Sequence, residues 1–86
     1  MQVRIPSPLR SYTNQQSKVE ASGSTVEALL IDLDKKYPGI KFRIIDEQNN
    51  IRQHIKLFVN TNEIHDLKME AANEDTLHII CALSGG

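Results

Sequence analysis

The stretch from Ser24 to Gly39 constrains the fold most, because it holds the one long apolar stripe at helical spacing in the chain. Val26, Leu29, Leu30, Leu33 and Tyr37 fall on one helix face. Ser24 and Glu27 have capping-box spacing, in which each side chain would satisfy the other's orphan backbone donor. Pro38-Gly39 stops the helix, and Lys35 and Lys36 suit its negative end. Asp32, Asp34 and both lysines are left for solvent. A lone amphipathic helix must bury its stripe against another layer, and the flanking sequence supplies strands.

Gln2 to Ile5 alternates, with Val3 and Ile5 on one side and Gln2 and Arg4 on the other. Pro6 and Pro8 end that strand or confine it to an edge. Ser11 to Ser17 reads as a polar turn, and Lys18 to Ser22 returns as a second strand through Val19 and Ala21. After the main helix, Ile40 to Ile45 predicts one further helical turn anchored by Phe42 and Ile45. Asp46 to Asn50 is a polar turn. Ile55 to Val59 is rich in strand formers, and Asn60 to Glu63 reverses the chain. Ile64 and Leu67 fit a short strand, Asn73 to Asp75 a turn, and Thr76 to Cys81 the last strand, with Leu77, Ile79 and Cys81 on one face. The order predicts an α+β fold, a mixed sheet of about four to five strands packed on one main helix. Residues 1–86 form one domain, whose residues 82–86, Ala82-Leu83-Ser84-Gly85-Gly86, are expected to be a flexible tail.

A chain of 86 residues buries only about 60% of the surface its unfolded form exposes. That leaves little room for both a core and a deep catalytic cavity, which favours a carrier or binding module over an enzyme. Ten basic against eleven acidic residues give a net charge of −1, so no basic nucleic-acid footprint is present. Tyr12, Tyr37, Phe42 and Phe58 are too scattered for a base-stacking platform. No apolar run approaches the ~20 residues of a membrane span, and Met1 to Pro6 lacks the apolar region of a secretory signal. A cytoplasmic protein that binds neither nucleic acid nor membrane is expected. Cys81, the one cysteine, excludes an internal disulfide and a cysteine-based zinc site, and reads as a small core residue. His54, His65 and His78 lack the spacing of a helical zinc pair and read as surface or sheet-facing residues. Asp46 and Glu47 sit in a polar turn without a pocket. No catalytic set, metal site or phosphate-binding glycine loop is evident.

The remaining feature with chemistry in it is the end of the chain. Gly85-Gly86 has no side chains and threads narrow channels that other residues cannot. Its carboxylate is a poor electrophile until joined to AMP as a mixed anhydride. Sulfur attack on that anhydride gives a thiocarboxylate, and attack by a lysine amine gives an amide. Either outcome needs a partner enzyme. The alternative reading is a frayed terminus without a role.

Several stretches taken together resemble the molybdopterin-synthase small subunit and thiamine sulfur-carrier (MoaD/ThiS-like) family. They are Arg4-Ile5-Pro6-Ser7-Pro8-Leu9-Arg10 with Tyr12-Thr13, Val19 to Val26, Leu33 to Ile40, Phe58-Val59-Asn60 and Ile79 to Gly86. The likeness is greatest to the branch that carries sulfur for cysteine synthesis. It implies a ubiquitin-like β-grasp fold and adenylation of Gly86 by a ubiquitin-activating-like adenylyltransferase. The thiocarboxylate is then expected at Gly86, with Gly85, Ser84 and Leu83 threading the partner. No cofactor is bound by the chain itself, and ATP is consumed by the partner. The sulfur-accepting synthase would be a cysteine synthase, the molybdopterin-synthase large subunit or thiazole synthase. A ubiquitin-like protein modifier is a further alternative, because it starts from the same acyl-adenylate. Cys81 stands where this family often has proline.

Strand alternation adds a docking surface. With Ile55, Leu57 and Val59 facing the helix, Lys56 and Phe58 face outward; with Leu77 and Ile79 inward, so do His78 and Ile80. Phe58 and Ile80, rimmed by Lys56 and Arg4, are the expected partner-binding patch. Isolated surface apolar residues are also common without any role. Arg10 and Arg52 are candidates to meet acidic surface on an activating enzyme, solvated surface being the alternative.

Overall fold

In the computed structural model, which describes residues 1–82, the last strand lies at the centre of the molecule. Strands β1 (Gln2–Arg4), β2 (Lys18–Glu20), β3 (Ile55–Val59), β4 (Asn62–Ile64) and β5 (Thr76–Cys81) form one sheet in the order β2-β1-β5-β3-β4. β1 runs parallel to β5, and the other neighbours are antiparallel. Pro6 and Pro8 lie beyond β1, so this strand can occupy an interior position without losing a ladder donor. Helix α1 (Val26–Lys36) covers one face, and a shorter helix α2 (Ile40–Ile44) follows it. This is the β-grasp arrangement that the family resemblance implies.

Burial follows the alternation. In β5, Leu77 and Ile79 are buried while Ile80 is exposed; in β3, Ile55, Leu57 and Val59 are buried while Lys56 is exposed. Their inner side chains meet Val26, Leu29, Leu30 and Leu33 of α1, all fully buried. Truncating one such leucine to alanine costs about 2–5 kcal/mol by the lost transfer energy and the cavity left behind.

The start of α1 departs from the expected capping box. Thr25, not Ser24, is the cap, and its hydroxyl accepts from the Ala28 amide at 3.1 Å. Backbone carbonyls of Met69 and Leu67 take the Val26 and Glu27 amides at 3.0 and 2.8 Å. With those donors satisfied from the β4–β5 connection, Glu27 is released to accept from Asn49 Nδ2 at 2.7 Å. This also accounts for Leu67, which is buried beneath the helix start rather than in a strand.

Three further expectations are corrected. Phe42 does not anchor α2: it is 57% exposed, while Ile40, Ile44 and Ile45 are buried. Residues Ser7–Thr13 form a 3₁₀ helix, so the first half of the predicted polar turn is helical. Its buried Thr13 donates to the Gln16 carbonyl at 2.8 Å. Asp32 and Asp34 are not merely solvated. Asp32 accepts from the Ser22 amide at 2.8 Å, and Asp34 accepts from the Gly39 and Lys41 amides at 3.1 and 3.0 Å, closing the junction into α2. Gly39 has φ of 97°, which explains the choice of glycine there.

Candidate functional site at the root of the tail

Leu83, Ser84, Gly85 and Gly86, the expected threading segment and its reactive carboxylate, lie outside the described residues. What precedes them is well defined. Cys81 pairs with Ile55 in the ladder, and the Ala82 amide donates to the His54 carbonyl at 2.8 Å. The chain is thereby held to β3 up to its last described residue.

The outer face of the sheet brings the four expected docking residues together. Lys56 on β3 stands opposite Ile80 on β5, and Phe58 stands opposite His78. Arg4 on β1 lies opposite His78 from the other side. Ile80 is 44% exposed and Phe58 is half-buried, giving a small apolar area with Lys56 and Arg4 exposed beside it. The row through His78 continues to Lys18 on β2 and Glu63 on β4. Sequence alternation alone placed these residues correctly, because a one-sided sheet fixes which parity meets solvent.

A second surface holds Arg52, one of the two arginines expected to meet a partner, among neighbours that strand alternation did not place. On the opposite side of the tail root, Tyr12, Phe42, Arg43, Arg52, His54 and Cys81 line a groove of about 480 Å³. Arg43 Nε donates to the Tyr12 hydroxyl at 2.7 Å, and its guanidinium lies 5.9 Å from that ring's centre. Arg52 Nε donates to the Phe42 carbonyl at 2.6 Å and stacks 4.5 Å from the Phe42 ring. The exposed Phe42 therefore serves as a platform for Arg52. One signal was present in the sequence. Ile40 and Ile44 are four apart and share a face, which turns Phe42, two residues from each, away from it.

The other expected residues fall elsewhere. Arg10 is tied to its own segment by an Nε donation to the Ile5 carbonyl at 3.0 Å. Cys81 is half-buried rather than fully within the core, and burial raises its thiol pKa, so it is not poised as a thiolate. His54 and His65 are exposed, and His78 is half-buried on the outer sheet face. Among the described residues no three histidine, cysteine, aspartate or glutamate side chains cluster as a metal site. Asp46 accepts from the Gln48 and Asn50 amides at 2.9 and 3.0 Å, which makes it a turn-forming residue. No described helix is long and apolar enough to cross a membrane.

The fold agrees with what the chain is similar to. The "Sulfur carrier protein CysO" of Mycobacterium tuberculosis is 34% identical over 89 residues, covering 98% of this chain and 96% of that protein. The CysO structure from the same species superimposes with a TM-score of 0.90 at 31% identity, covering 95% of this chain and 98% of that one. A chain of the Amycolatopsis orientalis BexX/CysO complex gives 0.91 at 34% identity, covering 99% and 98%. The small archaeal modifier protein 1 of Methanosarcina acetivorans gives 0.79 at 26% identity, covering 99% and 94%. The ThiS family model matches residues 3–86, and the chain belongs to the ThiS family.

Proposed function

We propose that this chain is a sulfur carrier for cysteine biosynthesis, itself without catalytic activity, whose Gly86 carboxylate is the working group. A ubiquitin-activating-like adenylyltransferase joins that carboxylate to AMP, releasing pyrophosphate from ATP. Hydrosulfide attacks the carbonyl carbon, AMP leaves, and the resulting thiocarboxylate carries the sulfur to an accepting synthase. Cysteine synthase is the acceptor that the likeness to CysO favours. The single observation that carries this reading is similarity to CysO sulfur carriers over nearly the whole chain, within a family match that runs through Gly86.

The experiment is charging of the full chain by its cognate activating enzyme with ATP and a sulfur source, read by intact mass. The expected product carries one sulfur in place of one oxygen, and deletion of Gly86 abolishes it while leaving the thermal melt unchanged. Absence of any charged product with wild type refutes the reading. Likeness to an archaeal modifier protein favours a second reading, transfer of the same adenylate to lysine amines. That reading predicts amide conjugates in cell extracts, which a pure sulfur carrier does not form.

A further inference from the structure

Two surfaces flank the point where the tail begins, because Ile80 faces one side of the sheet and Cys81 the other. The outer face carries the apolar pair Phe58 and Ile80. The groove on the other side has different chemistry. Its lining holds two guanidiniums and one imidazole, and no aspartate or glutamate. The whole chain has more acidic than basic residues, so this is a local concentration of positive charge. Neither Arg43 nor Arg52 joins an ion pair among the described residues. Each uses Nε on a neutral oxygen, and no hydrogen bond occupies a terminal guanidinium nitrogen of either among the described residues. The hydrogen bond to the Tyr12 hydroxyl holds the Arg43 group, and stacking on Phe42 with the bond to its carbonyl holds the Arg52 group, before any ligand arrives.

We propose that this groove seats a carboxylate-rich segment of the protein that receives the tail, with aspartate or glutamate side chains meeting Arg43 and Arg52 and an apolar residue against Phe42. The charge selects the partner: a carboxylate accepts two parallel N–H bonds from a guanidinium, a fit that neutral or basic segments lack. Continuity fixes the location. Cys81 and Ala82 line the groove, so a protein that grips the following residues lies against it. A partner that holds the apolar sheet face and the charged groove together clasps the tail root from both sides. That would set the direction in which residues 83–86 are offered.

The proposal rests on the carrier reading and deepens it. Its test is amide-resolved NMR on the full chain, titrated with the blocked peptide Asp-Glu-Leu-Glu-Asp and, separately, with Lys-Arg-Leu-Lys-Arg. Shifts are expected at Tyr12, Phe42, Arg43, Arg52, His54 and Ala82 with the acidic peptide alone. Binding should weaken about fivefold to tenfold in the Arg43→Gln/Arg52→Gln double variant. It should also weaken steeply as salt rises from about 0.05 M to about 0.5 M, a readout that needs no variant to fold. Lys18→Gln/Lys35→Gln should bind as wild type does. The proposal is overturned by shifts centred on Lys18, Lys35 and Lys56, by equal binding of the basic peptide, or by salt-independent binding. It is also overturned if deleting Gly85 and Gly86 moves the Arg43 and Arg52 amides before peptide is added, since the chain's own end would then be the occupant. The two readings fail separately: titration reads the groove without an activating enzyme, and charging reads Gly86 without a peptide.

Discussion

Replacing Gly23 with alanine tests how tightly the β2–α1 connection is pressed against the first turn of α1. A Cβ built on Gly23 would lie 2.4 Å from the Leu29 amide nitrogen, 2.7 Å from the Ala28 carbonyl carbon and 2.8 Å from the Leu29 Cα. All three are helix backbone, so no side-chain rotation relieves the contact. Ordinary carbon contacts begin at about 3.5 Å, so the helix and the connection at Gly23 must separate by about 1 Å. Leu29 and Leu30 are fully buried, and that displacement opens the packing beneath them. Overpacking typically costs about 1–3 kcal/mol, with backbone-limited sites at the upper end. Lower unfolded-state entropy returns about 0.4–1 kcal/mol. The net loss is about 2 kcal/mol, which in a domain of this size lowers Tm by roughly 8–16 °C. Gly39→Ala is the internal comparison. Its φ of 97° strains any L residue, but the added Cβ meets only the Tyr12 ring edge at 3.1 Å, which can give way. That variant should lose about 1–2 kcal/mol, from the backbone alone. Calorimetry and urea melts of both variants check the ordering. If Gly23→Ala melts within about 3 °C of wild type, less than 1 kcal/mol has been lost and the close approach does not govern packing here.

Thr25→Ala should cost about 1 kcal/mol in urea unfolding, the usual loss on removing a helix cap, whereas Ser24→Ala should be close to neutral. The reverse order would restore the capping box. Ile80→Ser should cost about 1 kcal/mol of stability, because rather more than half of the side chain is covered within the chain itself. If a partner covers that exposed part, about 1 kcal/mol of burial is lost, and half-maximal charging should need about threefold to ninefold more of the chain. An unchanged requirement removes Ile80 from the docking face. Acid should destabilise the fold partly through Asp75 and Asp32. Asp75 accepts from the Ala72 amide and Asn60, and Asp32 accepts from the Ser22 amide beside Lys36; both carboxyls are held below their ordinary pKa. Unfolded aspartate titrates near about 3.9, so below that pH the unfolded state takes up more protons. Their contribution is therefore present above about pH 5 and lost as pH falls through the folded-state values. Urea melts of Asp75→Asn should show a deficit against wild type near neutral pH that shrinks in acid. A deficit that grows in acid contradicts the assigned sign.

The layer architecture was legible because most of the chain is buried on one side only. Ile55–Val59 and Thr76–Cys81 were readable to the residue, since alternating burial leaves a period that a few residues suffice to set. The stripe from Val26 to Leu33 was equally plain. What escaped were backbone groups satisfied from distant parts of the chain. The carbonyls of Leu67 and Met69 cap α1, and no local pattern announces that contact, so the Ser24–Glu27 spacing suggested a box that tertiary structure made unnecessary. Asp34 is similar: its role at the Gly39 turn depends on how α1 meets α2.

The two surfaces at the tail root differ in legibility for the same reason. Arg4, Lys56, Phe58 and Ile80 belong to paired strands, and parity assigns them all to the outer face. Tyr12, Phe42, Arg52 and Cys81 come from the 3₁₀ helix, α2, the loop before β3 and the end of β5, and no period links these segments. Parity nevertheless determines that both surfaces converge on one place. Neighbouring residues of a strand point to opposite faces, so Ile80 and Cys81 necessarily contribute to different surfaces one residue apart. A partner that touched only one would leave the chain free to pivot about the Ala82–His54 hydrogen bond. Under the proposed carrier reading, contact with both would hold the Cys81–Ala82 end of β5 against that pivot, as presentation of a terminal carboxylate to a partner requires.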